Sequence, residues 1–491
     1  MMGRQKGRQG RLFYNFSLED RVRPNHPLRK IAAYIDFDFV YDEVKDKYGS
    51  KGNVSVPPPV ILKLMMLLIF YNVRSEREMM DTLPERLDWL WFLGYDLDSD
   101  IPNHSVLSKA RRRWGVDAFR SFFDLVVWQC VEAKLVDGKK IFLDSSLVDA
   151  DASNNSVVDT KNLKHQLKKN YKQLEARLEE KESGPYSKVN KRYISSTDPD
   201  AAITQRGKSK LRYHVHRAVE SKNEIITATK ATPGNVDEAQ VMSHLVDQHE
   251  ERVGEETEIV VADSKYGTIE NFLACHDRGI HAHVPDLGKT CKKRKKVKTF
   301  GEEHFEYDSE IDVYVCPAGN TMKRSGSNRK RQYIYYGCSQ KICAACELRV
   351  QCTKNKRGRI INRHFRQDEL DKMRAASQTP KSKQDIKTRQ HFMERSFARA
   401  ERLGFKRARW RGLWKMEIQE YLTSTIQNIQ ILITRCDPLK QAAINAINGQ
   451  ARNIAPLKEN LNMLSQNQLS KHIRVCFSAK KKYRRTSYCC S

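Results

Sequence analysis

Two short apolar segments of the sequence each run into an aspartate that is followed by a serine. Residues 141–143 precede Asp144, and residues 259–262 precede Asp263. Apolar runs of this length are typical of buried β-strands, and in an open α/β sheet the carboxyl ends of neighbouring strands meet where ligands bind. Two carboxylates placed there repel each other unless one is protonated or both share a divalent cation. The pair therefore predicts a metal-dependent site, whereas a single aspartate of this kind is more often a turn or cap residue.

A metal site of this kind needs a third carboxylate from elsewhere in the chain. Glu394 is the candidate, because it lies in a helical pattern that resumes after an insertion. Asp149 and Asp151 are rivals to Asp144, but they lie outside its apolar run. Three further acids have the sequence context of helix-surface residues: Asp237, Glu270 and Asp277.

Five of the twelve cysteines lie between positions 316 and 352. Twelve cysteines in 491 residues are too few for a disulfide scaffold, and such a cluster more often binds metal. Tetrahedral Zn²⁺ takes four thiolates, so one of the five is spare, and the absence of histidine from the cluster argues against a catalytic zinc. Reduced, buried thiols without metal are the competing interpretation. We expect a structural zinc on Cys338, Cys343, Cys346 and Cys352, with Cys316 as the alternative ligand.

The charge of the chain predicts a polyanionic partner. Lys and Arg number 88 against 60 Asp and Glu, which gives a net charge of +28, and Lys and Arg bind phosphate backbones by releasing counterions. An anionic membrane surface is the alternative. The longest apolar stretch, 60–73, contains Lys63 and Asn72 and falls short of the about 20 residues of a spanning helix. No secretory signal or prenylation box is visible, so we expect a cytoplasmic protein.

Three basic segments are candidate DNA surfaces: 109–113, 289–298 and 395–415, the last interleaved with Phe and Trp. Basic groups bind phosphates and aromatic rings stack on exposed bases, although aromatic residues at helical spacing are often core. The expected DNA-binding residues are Lys109, Arg111, Arg112, Arg113, Lys292, Lys293, Arg294, Arg389, Arg395, Arg402, Arg407, Arg409, Trp410 and Arg411.

Local patterns predict the elements that must position these residues. The first 135 residues are helical in pattern, with a buried helix after the prolines at 57–59 and a basic helix capped by Ser105. Strands are expected at 139–144, 211–219, 224–232, 257–263 and 279–285, and helices at 236–250, 269–278 and 386–435. A charged, heptad-like segment at 160–182 predicts an inserted hairpin arm.

This order of elements is that of the RNase H-like fold, and the chain resembles the DDE transposases of bacterial insertion sequences. The similarity extends from about residue 15 to 435, and it rests on seven motifs: IPNHSVLSKARRR (101–113), LDSSLVDADAS (143–153), DPDA (198–201), ATPGNVDEA (231–239), VADSKYGTIEN (261–271), VCPAGNTM (315–322) and ERSF…GFKRARWRGL (394–413).

The resemblance implies that Asp144, Asp263 and Glu394 are the catalytic acids and bind Mg²⁺ or Mn²⁺, with two ions in each active site. Related transposases often have Tyr, Arg and Lys around the glutamate. Here Lys387, Gln390 and Glu401 occupy those positions, so Glu401 and Glu417 stay open as alternatives to Glu394.

The resemblance also implies the organisation of the chain. We expect a mixed five-stranded RNase H-like sheet with flanking helices, an all-α N-terminal domain and a small, loop-rich Cys-bearing insertion. The expected ranges are a helical DNA-binding domain at 1–136, a first catalytic part at 137–285 with its arm at 156–195, the insertion at 286–385, a second catalytic part at 386–440 and a polar, basic tail at 441–491.

The expected function is a DNA transposase that binds the terminal inverted repeats of its element, cleaves the DNA and transfers strands, as a homodimer in the DNA complex. A nuclease or resolvase without strand transfer is one alternative. A zinc-dependent DNA-binding regulator, in which the acids are structural, is the other.

Overall fold

The structure is a computed structural model, and it describes residues 16–49, 53–159, 193–204, 209–288 and 299–450, with side chains as far as residue 436. The contacts divide the chain into two compact units, residues 1–432 and 433–491. Most of the expected arm at 156–195, the basic run 289–298 and the tail beyond residue 450 lie outside the described residues. Among the described helices, none has the length and apolar character needed to cross a membrane.

The N-terminal region is helical, as its apolar spacing predicts. Helix α4 starts after Pro57, where prolines are tolerated in the first turn, and apolar residues are buried around its whole circumference. Ser105 is the first residue of its helix and not the predicted cap, and its amide donates to Asn103 Oδ1 at 2.9 Å. The helices are α1 Leu18–Arg21, α2 Pro27–Tyr34, α3 Phe39–Val44, α4 Pro58–Phe70, α5 Glu76–Thr82, α6 Leu87–Leu93, α7 Ser105–Trp114 and α8 Asp117–Glu132.

A mixed sheet follows, in the order β4-β5-β1-β7-β8, with β6 also paired to β5. Strand β5 is antiparallel to both β6 and β1, whereas β7 is parallel to β1 and β8 is parallel to β7. This order and direction are those of the RNase H-like fold, which confirms the predicted fold class, and the short β4 adds a sixth strand. The strands are β1 Lys140–Asp149, β2 Val157–Asp159, β3 Tyr193–Ser195, β4 Ala202–Thr204, β5 Lys210–Glu220, β6 Ile226–Pro233, β7 Ile259–Val261 and β8 His281–His283, and β2 pairs with β3.

Helices cover both faces of this sheet, because alternate strand residues enter two separate apolar clusters. Ile141 and Leu143 of β1 belong to a cluster with α9 (Met242–Val253) and α10 (Ile269–Asp277). Val148 of the same strand belongs to the other cluster, with Ala400 and Met416. Ala400 lies on the long helix α14 (Pro380–Arg402), and Met416 lies on the long helix α15 (Leu413–Gln450). A sheet buried on both faces explains why its central strands read as apolar runs.

The cysteine-bearing insertion has a sheet of its own. Five antiparallel strands are arranged in the order β13-β12-β11-β10-β9, and Phe305, Tyr314, Met322, Tyr336 and Ile361 form their core. The expectation of a loop-rich insertion is therefore wrong, because alternating aromatic and aliphatic residues pair these short segments into a sheet. The elements are β9 Glu306–Asp308, β10 Val313–Val315, β11 Thr321–Asn328, β12 Tyr333–Gly337, α11 Gln340–Ala344, α12 Arg349–Cys352 and β13 Ile360–His364.

Three helices complete the described chain: α13 Gln367–Ala376, α14 Pro380–Arg402 and α15 Leu413–Gln450. Between α14 and α15 the chain extends along β1, where the Asp149 amide donates to the Lys406 carbonyl at 3.0 Å and the Ala408 amide to the Asp149 carbonyl at 2.8 Å. Strand β1 pairs with β7 from Lys140 as far as Phe142. The end of β1 at Asp149 is therefore bordered by the segment that joins α14 and α15.

Candidate active site

Asp144 and Asp263 are brought together by the register of the two central parallel strands. Phe142 of β1 pairs with Val261 of β7, and each aspartate lies two residues further along its strand direction. The prediction that Asp144 ends its strand is wrong, because β1 continues to Asp149 and stays paired with β5. It lies where β7 has ended and β1 continues. The two carboxylates therefore share the opening between the strands.

A third carboxylate lies with them, and it is Glu238. One oxygen each of Asp144, Glu238 and Asp263 lie within 4.8 Å of one another. Glu238 starts a 3-10 turn, Glu238–Val241, immediately after Asp237, whose side chain caps that turn by accepting from the Ala239 amide. Sequence reasoning missed Glu238, because its context is that of an ordinary residue beside a helix cap. Its place within the ATPGNVDEA motif was the available signal.

Basic groups border this cluster of acids. The Arg389 guanidinium of α14 lies 2.8 Å from Asp144 Oδ2 and also donates to the Leu143 carbonyl. The Lys265 ammonium pairs with Glu238, while the Lys265 amide donates to Asp263 Oδ1 at 2.9 Å. Three acids accompanied by two cations leave a local excess of negative charge. The site is thus suited to a cation of higher charge than a single ammonium group.

Burial raises the pKa of the Asp144 carboxyl above its ordinary value, and the Glu238 charge adds to the rise, whereas Arg389 opposes it. The fully buried Tyr266 phenol has a pKa well above its usual range, chiefly because of burial and then because of the charges of Glu238, Asp144 and Asp263. Desolvated acids close together favour protonation or a bound cation. Hard carboxylate oxygens are the ligands that Mg²⁺ and Mn²⁺ prefer, so the donor set fits these ions.

The loop after β7 is held in place by a close backbone contact. A Cβ atom on Gly267 would lie 2.1 Å from the Pro285 carbonyl oxygen, so only glycine fits there. The Leu287 amide donates to the Gly267 carbonyl at 3.0 Å. This contact fixes the loop that carries Asp263, Lys265 and Tyr266.

Glu394 lies on the exposed side of α14. Its carboxylate accepts from Gln390 Nε2 at 2.9 Å, while Arg389 and Met393 belong to the buried side. The alternatives are engaged elsewhere, since Glu401 pairs with Lys406 and Glu417 with Lys230. The assignment of Glu394 therefore stays a prediction that rests on the resemblance.

Three residues expected to bind DNA make contacts within the protein. Arg111 is buried, pairs with Glu76 and lies 4.0 Å from the centre of the Trp410 ring. Trp410 also donates to Glu76, and Arg409 donates to the Val73 carbonyl. These side chains join the N-terminal helices to the segment before α15.

The other expected DNA-binding residues differ in exposure. Arg389 is buried against Asp144, whereas Arg395 pairs with Glu224 at 2.8 Å and Arg407 with Asp151 at 2.8 Å. Lys292, Lys293 and Arg294 lie outside the described residues. The remaining members are exposed at the surface: Lys109, Arg112, Arg113, Arg402 and Arg411.

All five cysteines of the insertion line one small cavity, together with Arg349 and Arg359. They are Cys316, Cys338, Cys343, Cys346 and Cys352. Burial raises the pKa of the Cys338 thiol to about 12, and the neighbouring Cys316 and Cys343 add to the rise. An all-sulfur donor set suits Zn²⁺. The cavity therefore fits the metal that the spacing predicts.

An RNase H-like sheet with carboxylates on its central strands defines a class of enzyme, the polynucleotidyl transferases. Residues 16–113 match the family described as Transposase domain (DUF772), and residues 315–433 match the Transposase DDE domain. These two matches support an insertion-sequence DDE transposase, as the resemblance implies. Asp144, Glu238 and Asp263 lie between the two matched segments, and Glu394 lies within the second. No curated protein and no solved structure matches the chain significantly.

Proposed function

We propose that this transposase binds the terminal inverted repeats of its insertion sequence, cleaves DNA there in a divalent-metal-dependent reaction and joins the exposed 3′-hydroxyls to target DNA. The observation that carries the proposal is the convergence of Asp144 and Asp263 on neighbouring parallel strands. The matches to transposase families support DNA as the substrate. Because an element has two ends, we propose that a homodimer acts in the DNA complex.

Asp144 and Asp263 would hold Mg²⁺ or Mn²⁺, with Glu394 as the third acid that the resemblance implies and two ions in each site. Such ions activate the attacking water or 3′-hydroxyl and stabilise the leaving oxygen of an in-line displacement at phosphorus. The chain's own contribution is to fix the carboxylates. Arg389 holds the Asp144 side chain by its ion pair, and the Asp263 side chain accepts from the Lys265 amide.

DNA would be held by the exposed basic residues. Lys109, Arg112 and Arg113 project from α7, which lies within the N-terminal transposase match. Contacts of Lys and Arg with phosphate oxygens supply affinity that is independent of sequence. The buried Arg111 fixes the position of α7 through Glu76 and so supports this surface without touching DNA.

A structural zinc ion in the insertion is part of the proposal, held by four of the five thiols with Cys316 as the alternative ligand. The ion would tie α11 and α12 to the antiparallel sheet, because Cys343 lies on α11, Cys352 ends α12 and Cys338 follows β12. The insertion would then support the path of the DNA and take no part in the reaction.

The test is a strand-transfer assay with pre-cleaved element ends and a supercoiled target plasmid. Joined product in Mg²⁺ supports the proposal, cleavage without joining supports a nuclease or resolvase, and binding alone supports a regulator. Asp144→Asn and Asp263→Asn should each lower cleavage by at least about 100-fold, since each removes a charge that holds the metal.

The same variants should bind element ends within about twofold of the wild type, because phosphate contacts made elsewhere supply most of the affinity. Asp237→Asn, on an exposed cap, is the control and should keep full activity. Normal cleavage by Asp144→Asn would contradict the proposal.

A further inference from the structure

We infer that Glu238 is a metal-ligating carboxylate of the same centre as Asp144 and Asp263. The inference rests on the proposed metal-dependent function and adds to it a ligand from a part of the fold outside the two aspartate-bearing strands. It concerns the DNA-free protein, in which Glu238 is grouped with the two aspartates and Glu394 is on an exposed helix side.

The fold brings Glu238 to the site by a route that local sequence does not reveal. Strand β6 pairs with β5 on the side away from β1, so its own end is distant from β7 in strand order. The chain then turns at residues 234–237 and passes to α9. The 3-10 turn between them, Glu238–Val241, carries the Glu238 side chain to the opening beyond Phe142 and Val261.

Glu238 is buried to an extent that is rare for an unsupported carboxylate. The residue is 3% exposed, and a carboxylate removed from water requires a compensating cation or hydrogen bonds. Lys265 supplies one cation, and its own side chain is 35% exposed. His214 Nε2 lies 3.3 Å from Glu238 Oε1. Because Lys265 has access to solvent, it has room to withdraw when a divalent ion binds.

A second observation, independent of the acids, points to a ligand in the same place. The Tyr266 hydroxyl is fully buried and lies beside the Ser145 hydroxyl, and neither makes a hydrogen bond of good geometry among the residues that the structure describes. Unsatisfied buried hydroxyls cost free energy, and ordered water or water on a bound ion is the usual partner. The charges of all three carboxylates raise the pKa of Tyr266, so the phenol lies near their cluster.

The distances suit a cation after a small closure. Oxygens bound to one Mg²⁺ at about 2.1 Å lie at most about 4.2 Å apart. The three carboxylate oxygens lie within 4.8 Å of one another. We expect rotation of the side chains to close this difference.

The test is Mn²⁺ binding to the full-length, DNA-free protein, counted by electron paramagnetic resonance of the free ion. Glu238→Gln should lower the Mn²⁺ affinity at least about tenfold, because even residues that only support a ligand change affinity by about 10–100-fold. Asp237→Asn is the matched control, one residue away and exposed, and should stay within twofold. Glu238→Asp, which keeps the charge, should recover part of the loss. Thermal unfolding in EDTA checks that each variant is folded.

Iron-directed cleavage of the wild-type chain provides a readout that needs no variant. Fe²⁺ bound in place of Mn²⁺, with ascorbate and peroxide, should cut the backbone near Glu238 as well as near Asp144 and Asp263, and excess Mg²⁺ should suppress all three cuts. The inference would be overturned if Glu238→Gln bound Mn²⁺ with wild-type affinity, or if the chain were cut near the two aspartates and not near Glu238. Either result would leave the proposed function standing. If Asp144→Asn and Asp263→Asn also keep full Mn²⁺ affinity, the proposed function fails with it.

Discussion

At the residue scale, the ion pair between Arg217 and Glu420 anchors the last helix to the sheet. The two side chains are 0% and 1% exposed, and two nitrogen–oxygen distances of 2.7 and 2.9 Å make the pair bidentate. Thr229 and Ser424 donate to the same carboxylate. Such a fully bonded pair links β5 to α15 across the face on which Asp144 lies.

Breaking this pair from one side should be costly. Arg217→Met should lower the free energy of unfolding by about 3–5 kcal/mol, because it leaves Glu420 charged, buried and without its cation. The double variant Arg217→Met/Glu420→Leu should recover much of that loss. Urea unfolding followed by circular dichroism measures both. A double variant as unstable as the single one would show that the pair contributes through shape and not through charge.

Two buried histidines predict the dependence of stability on pH. Burial holds the pKa of His216 well below its usual value and also lowers that of His249, which lies between Thr227 and the Gly138 carbonyl. The unfolded chain therefore binds protons below about pH 6.5 that the folded chain does not, and stability falls as the pH falls. When the pH falls from 7.5 to 5.5, each histidine that stays neutral in the folded protein should lower the free energy of unfolding by about 1.4 kcal/mol. Urea unfolding at both pH values measures the loss, and His216→Gln should reduce it.

At the element scale, the insertion consists of an antiparallel sheet and two short helices, and its five cysteines lie where the helices meet the sheet. Its strands bury Tyr314, Met322 and Tyr336, while the five cysteines surround the cavity between the sheet, α11 and α12. The two short helices bury no residue of their own. With the proposed zinc bound, their position would depend on the cysteines that hold it.

Removing the metal should therefore loosen the helices before the sheet. Metal analysis of the purified protein should find about one zinc ion per chain, since four thiolates complete a tetrahedral site. Chelation, or Cys343→Ser with Cys346→Ser, should increase hydrogen exchange over 339–353 and lower DNA binding. The buried Cys275 is the control, because Cys275→Ser should leave the zinc content unchanged. A folded and active protein without zinc would contradict this prediction.

At the scale of the whole molecule, a net charge of +28 acts through the residues that the fold leaves exposed. Arg111 and Arg112 are neighbours in sequence, yet one is 3% exposed and paired with Glu76 while the other is on the surface. The same local composition therefore gives one structural and one accessible cation. Net charge alone overstates the surface available to DNA.

DNA affinity should fall steeply with salt, with a log–log slope of about −0.9 for each phosphate contacted. Arg112→Ala should make the slope shallower by about one contact without changing stability. Arg111→Met should instead lower the melting temperature, because it leaves the Glu76 carboxylate without the cation that pairs with it. Fluorescence anisotropy at several salt concentrations measures the slope. A slope equal to that of one or two contacts would contradict an extended DNA surface.

The sequence by itself determined the elements whose signals are local. Apolar runs predicted β1, which contains Asp144, and β7, which ends two residues before Asp263, and prolines predicted the start of α4. These features depend on a few consecutive residues, so no distant part of the chain was needed to predict them. The order of strands and helices was then sufficient for the RNase H-like fold.

The tertiary structure alone decided which distant groups meet. Glu238 enters the acid cluster, and Arg111 and Trp410 pack against each other. Residues far apart in sequence also assemble the sheet of the insertion. In each case the outcome depends on burial against segments many residues away, which leaves no periodicity in the local sequence. A carboxylate beside a cap and an arginine in a basic helix have the same local pattern whether they lie in solvent or in a site, and only packing distinguishes the two.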